Sequence, residues 1–132
     1  MPKCDLSIIV ISFKTREVTV NCLNSVIKHT HGLDYEIIVV DNASQDDSLK
    51  HLRKLARRHS QIKIIDAGAN LGFGKANNLA AQKAQGEYLL FLNSDTFVFD
   101  NAIKISLDNL KKHPEIGVYS CRLLNADKTV QP

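Results

Sequence analysis

The stretch Glu87-Tyr88-Leu89-Leu90-Phe91-Leu92-Asn93-Ser94-Asp95-Thr96 turns from apolar to polar at a single point. A short apolar run reads as a buried strand, and its abrupt end puts Asn93, Ser94 and Asp95 at the carboxyl end of that strand. An earlier run, Glu36-Ile37-Ile38-Val39-Val40-Asp41-Asn42, has the same form. Ligands of open α/β sheets bind outside the carboxyl ends of the strands. Asp41 and Asp95 are therefore expected at one crevice that holds a polar, phosphorylated ligand.

Working outward, Leu6 to Ser12 is nearly continuous Ile and Val, the pattern of a parallel strand covered on both faces. The spacing predicts a helix from Thr15 to His29, with Val18, Cys22, Leu23, Val26 and Ile27 on one side. Tyr35 to Asp41 is the second strand. Ser44-Gln45-Asp46-Asp47 fits a capping box ahead of a helix carrying Leu49, Leu52, Leu55 and Ala56. A short third strand, Ile62 to Asp66, leads through the glycine-rich loop Gly68 to Gly74 into a third helix that Gly86 stops. After the Glu87 strand, Asp100 is expected to cap a helix with Ile103, Leu107 and Leu110 on one face, ended by His113-Pro114. Ile116 to Cys121 reads as a last strand. Strands alternate with helices throughout, which predicts an α/β fold: three layers, α/β/α, around a mostly parallel sheet.

The 132 residues suit one domain, and 44% hydrophobic with 23% charged residues is ordinary globular composition. Leu124 to Pro132 reads as a turn leading onward, so residues 1–132 are expected to be a single domain forming the front part of a larger one. A net charge of +3 is too small to argue nucleic-acid binding. Cys4, Cys22 and Cys121 are odd in number and scattered, which excludes a disulfide framework or a zinc site and points to a reducing, cytoplasmic setting. No apolar run is long enough to span a membrane. Arg53, Lys54, Arg57 and Arg58 cluster as a basic helix face, either simply solvated or the seat of a peripheral membrane contact.

The chemistry-bearing residues are few. A carboxylate at Asp41 can accept from a base N–H or a ribose hydroxyl, or close an Asx turn. Asp95 can bind a divalent cation that also takes diphosphate oxygens, since Mg²⁺ and Mn²⁺ favour oxygen ligands with only one or two carboxylates. In Asn70-Leu71-Gly72-Phe73-Gly74-Lys75-Ala76-Asn77-Asn78, two glycines ahead of a helix permit close backbone approach to an anion. Gly72-x-Gly74-x-x-Asn77 also imitates the dinucleotide fingerprint. Its third position is Asn77, however, and it follows the third strand instead of opening the first βαβ unit. His29, His31, His51, His59 and His113 form no metal pattern, and no G-x-S-x-G elbow is present. A phosphoacceptor role for Asp41 would want acidic residues after the first strand, where Ser12-Phe13-Lys14 supplies none.

Four segments in this order resemble the family 2 glycosyltransferases of the GT-A, Rossmann-like nucleotide-diphospho-sugar fold. They are Leu6 to Phe13, Glu36 to Asp46, Asn70 to Asn78 and Leu90 to Thr96. The Asn-Leu-Gly-Phe form at Asn70 looks most like the rhamnosyltransferase-type branch. The resemblance implies inverting transfer of a sugar from a nucleotide diphosphate sugar to an acceptor hydroxyl, on a cell-surface polysaccharide or a glycolipid. It implies that Ser12, Phe13 and Asn42 lie by the nucleotide, that Asp41 meets its base, and that Gly72, Phe73 and Asn77 line the donor pocket. Asn93-Ser94-Asp95 stands where the family has its D-x-D motif, with Asp95 as ligand to Mg²⁺ or Mn²⁺ and Asn93 in place of the first acid. The resemblance places the catalytic base later in the chain, beyond Pro132. The implied partners are the sugar donor and a carbohydrate or lipid-linked acceptor, at the cytoplasmic face of the membrane, with no nucleic acid. The alternatives are a nicotinamide-dependent oxidoreductase domain and a nucleotide-binding module without catalysis.

Overall fold

The computed structural model describes all 132 residues. Its elements are β1 (Cys4–Ser12), α1 (Arg16–His29), β2 (Tyr35–Asp41), α2 (Ser48–Arg58), β3 (Ile62–Asp66), α3 (Phe73–Lys83), β4 (Gly86–Phe91) and α4 (Ala102–Lys111). The four strands form one parallel sheet in the order β3-β2-β1-β4. Register is set by pairs such as Ile8 with Ile37, Ser12 with Asp41 and Ile9 with Phe91. The fold is the expected three-layer α/β/α arrangement.

Alternate residues of each strand face opposite layers. Leu6, Ile8, Val10, Ile37 and Val39 pack with Leu23 and Val26 of α1, Leu52 of α2, and Ile103 and Leu107 of α4. Ile9, Ile38 and Val40 pack against Ala76 and Ala80 of α3. The placement of α3 follows from handedness. The chain steps outward from β1 to β3, then returns past β1 to β4. Right-handed crossovers therefore put α3 on the face opposite α1 and α2. The order reverses between β1 and β4, and that switch point is where an open sheet leaves a crevice.

The opposite end of the sheet is held by a buried carboxylate. Glu36 accepts from the Ser7 hydroxyl (2.6 Å), the Lys63 ammonium (2.6 Å) and the Gln85 backbone N–H (2.6 Å). Ser7 Oγ also accepts from the Gly86 N–H at 2.8 Å. A Cβ on Gly86 would sit 2.4 Å from the Ser7 backbone nitrogen, so only glycine fits there. This network fixes β4 against β1, and with it the position of the Asn93 turn. Burial alone would raise the Glu36 pKa. Lys63, Ser7 and Gln85 outweigh that effect and hold it below the usual carboxylate range.

The structure corrects several local expectations. Ile116 to Cys121 is not a strand: the segment is exposed and irregular, and its only ladder feature nearby is an isolated Leu124–Val130 bridge. An apolar run becomes a strand only where an edge is offered to it. β4 is an edge strand, not a fully buried one, and Leu89 and Phe91 are 44% and 54% exposed because α3 covers β1 and β2 instead. Val18 faces solvent and Thr19 takes the inward place, meeting Ser12 Oγ at 3.2 Å. The capping box does not form: α2 begins after Asp47, whose side chain makes no cap bond, and Asp46 accepts from the Ser48 N–H at 2.9 Å. The N-cap of α4 is Asn101, not Asp100, and its side chain bonds to the His31 backbone.

Candidate functional site

Three loops meet at the carboxyl end of the sheet and enclose a crevice of about 420 Å³. The β1–α1 segment contributes Ile11, Phe13 and Thr15, the β3–α3 loop Asn70, Gly72 and Phe73, and the turn after β4 Asn93, Ser94 and Asp95; Asn42 completes the wall. That volume lies in the range of small-ligand sites.

Each wall is fixed by its own hydrogen bonds. The β1–α1 and β2–α2 loops are tied together, since Asn42 N–H donates to Ser12 O (2.8 Å) and Lys14 N–H donates to Ser44 Oγ (2.9 Å). Lys14 and Ala43 hold positive φ angles of 53° and 61° in these loops, a conformation that non-glycine residues seldom adopt. Asn42, buried, reaches across to the glycine loop. Its Oδ1 accepts from Leu71 N–H at 2.8 Å and its Nδ2 donates to Asn70 Oδ1 at 3.0 Å. The same Asn70 oxygen accepts from Gly72 N–H at 3.0 Å. Gly72 then adopts φ 76°, ψ 168° as the residue before α3, a region open essentially to glycine alone.

No side chain caps α3, and its first turn carries Lys75 and no acid. A helix start of this kind favours an anion, through its free N–H groups and the macrodipole. In the turn after β4, the Thr96 hydroxyl donates to Asn93 O at 2.7 Å. Beneath it, Cys22 Sγ lies 3.7 Å from Asn93 O and 3.6 Å from Thr96 Oγ1. Burial pushes the Cys22 thiol pKa up, so this sulfur fills space under the turn as a neutral group. Asp95 is exposed and forms no ion pair.

Of the residues expected from sequence, Phe13, Asn42, Gly72, Phe73, Asn93, Ser94 and Asp95 line this one crevice. Ser12, Asp41 and Asn77 are buried behind it. Asn77 Nδ2 donates to Phe73 O at 2.9 Å and steadies the first turn of α3. Asp41 is 1% exposed; its Oδ2 accepts from Ser44 N–H at 3.0 Å, while Oδ1 is buried without a partner. Ile11, Thr15 and Asn70 also line the crevice and were not among the expected site residues. Strand parity could have found Ile11, which turns to the opposite face from Ser12. Asn70 lay within the recognised motif.

Asp95, Asn93 and Ser94 offer a carboxylate, an amide and a hydroxyl on one wall, all hard oxygen donors. No group of three His, Cys, Asp or Glu residues forms a metal cage anywhere in the chain. One carboxylate beside neutral oxygens suits Mg²⁺ or Mn²⁺ when a diphosphate supplies further oxygens. It does not suit a self-sufficient structural ion.

The sequence profile of glycosyl transferase family 2 matches residues 7–131. The chain belongs to that family. Within it, the chain is 33% identical over 100 residues to a poly(ribitol-phosphate) beta-glucosyltransferase of Bacillus spizizenii, covering 74% of this chain and 16% of that protein. It is 30% identical over 123 residues to a chondroitin synthase of Escherichia coli, covering 93% of this chain and 18% of that one. The chain thus spans less than a fifth of the length of either relative. Among solved structures, residues 1–349 of S. aureus TarS in complex with UDP-GlcNAc superimpose with a TM-score of 0.73 at 28% identity, covering 83% of this chain and 32% of that one. A mannosyltransferase from Pyrobaculum calidifontis, in complex with GDP-Man and Mn²⁺, gives a TM-score of 0.74 at 19% identity and shares the fold. Family 2 membership displaces the nicotinamide-dependent reading of Gly72 and Gly74. No helix in this family 2 chain is long and apolar enough to cross a membrane.

Proposed function

We propose that this chain is the donor-binding part of an inverting glycosyltransferase, holding a nucleotide diphosphate sugar in the crevice between the ends of β1 and β4. One observation carries the reading: an exposed, unpaired carboxylate (Asp95) shares a crevice of ligand size with a glycine-opened helix start. The first favours a cation and the second an anion. A cation–diphosphate pair satisfies both. TarS, a relative of the same fold, binds UDP and UDP-GlcNAc.

In this reading Phe13 lies against the nucleotide, and Gly72 and Phe73 bring the start of α3 to the diphosphate. Asp95, with Asn93 and Ser94, holds Mg²⁺ or Mn²⁺. When bound, that cation supplies positive charge at the departing diphosphate. Asp41 stands buried behind the wall with its Oδ1 unpartnered, and its proposed bond to a base N–H requires the loop after β2 to yield to the ligand. Ser12 and Asn77 support the walls from behind. An acceptor oxygen attacks the anomeric carbon as the bond to the diphosphate breaks, and its proton passes to a base. Asp95 is the only carboxylate lining the crevice, so the base is proposed to come from outside these 132 residues. The proposed acceptor is a carbohydrate or lipid-linked chain met at the cytoplasmic face of a membrane.

Thermal unfolding with UDP, dTDP, GDP or NAD, each with and without Mn²⁺, tests this reading. A nucleoside diphosphate at about 100 times its Kd stabilises by roughly 2.7 kcal/mol, and the rise in Tm should need the cation. A rise with NAD that ignores the cation would contradict the reading. Cation-dependent binding by a full enzyme that never transfers sugar would favour a non-catalytic nucleotide module.

A further inference from the structure

The strongest concentration of charge lies away from the crevice. Helix α2 carries Lys50, Arg53, Lys54, Arg57 and Arg58, with no Asp or Glu between Ser48 and Arg58. All five are exposed. The whole chain has 17 Lys and Arg against 14 Asp and Glu, so the rest of the molecule is slightly acidic and its positive field originates on this helix. Arg53 has a loose neighbour in Asp66 at 3.8 Å, and the other four have no ion-pair partner. Lys50, Arg53, Lys54 and Arg57, with Leu49, lie together on the outer face of this one helix.

Helix stability does not account for this pattern. Lys50–Lys54, Arg53–Arg57 and Lys54–Arg58 are like-charge pairs at i,i+4, each repulsive. Lys50 stands in the first turn, where the helix dipole disfavours a cation. Only Arg57 and Arg58, in the last turn, suit the dipole. The arrangement weakens the isolated helix and is relieved by an external anionic surface.

We propose that the outer face of α2 docks the protein on an anionic phospholipid bilayer. The inference deepens the membrane part of the functional reading above and rests on it, but its readout needs no sugar transfer. Charge complementarity selects an anionic partner, and the makeup of the face selects lipid. The helix has no Phe, Tyr or Trp to stack on bases and no Asn or Gln to read adenine, and its one ring, His51, is half-buried and turned to Asp47. It does have a half-buried Leu49 among long alkyl stems that can enter the headgroup layer. Because α2 connects the parallel strands β2 and β3, it runs back antiparallel to them. Laid flat on a bilayer, it leaves the carboxyl end of the sheet facing sideways along the surface, open to a lipid-linked acceptor.

Co-sedimentation with vesicles tests the proposal, comparing phosphatidylcholine alone with equal parts phosphatidylcholine and phosphatidylglycerol at low and high salt. The wild type should bind only the anionic vesicles, and salt should release it. The double variant Lys54→Glu/Arg57→Glu should lose roughly tenfold or more in binding. A charge-matched control, Lys83→Glu/Lys112→Glu, should retain it. The α2 variant should unfold near the wild-type temperature, since it turns three like-charge contacts into opposite-charge ones and gives up the favourable place of Arg57 at the helix end. It should also keep its response to UDP and Mn²⁺. Equal vesicle binding by wild type and α2 variant, no binding by the wild type at low salt, or tighter binding to duplex DNA than to the vesicles would overturn the proposal. Vesicle binding without any nucleotide response would support this docking surface and overturn the donor-binding reading instead.

Discussion

The Asn42 side chain holds the glycine loop at two points, accepting from Leu71 N–H at 2.8 Å and donating to Asn70 Oδ1 at 3.0 Å. The residue that follows β2 therefore sets the conformation of the loop that follows β3. Two loops far apart in sequence act as one wall of the crevice.

Asn42→Ala should remove both bonds and leave the Leu71 N–H without its acceptor, costing about 1–3 kcal/mol. Asn42→Asp keeps the acceptor but turns an oxygen toward Asn70 Oδ1, so it should fall between. Urea unfolding gives the stability. Nucleotide titration should show weaker binding in the same order; unchanged binding in Asn42→Ala would show that the loop holds its shape without the clamp.

Gly72→Ala isolates backbone strain from crowding. A Cβ at Gly72 would meet nothing within 4 Å, yet the residue sits at φ 76°. The expected cost is about 1–3 kcal/mol, wholly conformational. A neutral Gly72→Ala in urea unfolding, with nucleotide binding intact, would mean that the loop readily takes another path.

Glu36 predicts how stability changes in acid. Its folded pKa is lowered, so its stabilising contribution is present above the unfolded value of about 4.3. That contribution is lost as pH falls through the lower folded pKa, because the unfolded chain binds the proton first. Glu36→Gln should unfold more easily than wild type at neutral pH and show a shallower loss of Tm below the unfolded pKa. Parallel curves for the two proteins would exclude this carboxylate as an acid-sensitive tie.

The free side of β4 predicts self-association. Leu89 and Phe91 are exposed beside an unpaired strand edge, and such edges invite pairing with other chains. Leu89→Lys/Phe91→Lys should lower the apparent mass in concentrated solution by light scattering. A wild type that stays monomeric at every concentration would contradict this.

Much of the fold could be read from the chain because its central strands are nearly pure Ile and Val, and because polar residues end them sharply. That pattern pointed to the carboxyl end of the sheet and to Asn93, Ser94 and Asp95; Gly72 and Phe73 came from the glycine loop, and Phe13 and Asn42 from the family resemblance. Strand parity explains most of what was missed. Ser12 and Asp41 pair in register and share the face of Ile8, Val10, Ile37 and Val39, so both turn toward α1 and α2, while Ile11 turns toward the other face. Helix starts were less legible: Asp47 pairs with Arg16 at the start of α1 and Asn101 bonds to the His31 backbone, choices made by tertiary contacts, while Asp46 takes the local bond to Ser48 N–H. The apolar run at Ile116 shows the same limit from the other side, since a β-pattern alone does not supply a partner strand.

The most direct test of the donor site is to locate the cation. Backbone NMR spectra recorded with UDP and a trace of Mn²⁺ would show which amides the paramagnetic ion broadens. The account predicts broadening centred on Asn93 to Thr96, reaching Gly72 to Lys75, that disappears in Asp95→Ala. Broadening centred instead on Asp46, Asp47 or Asp66, or persisting unchanged in Asp95→Ala, would contradict it.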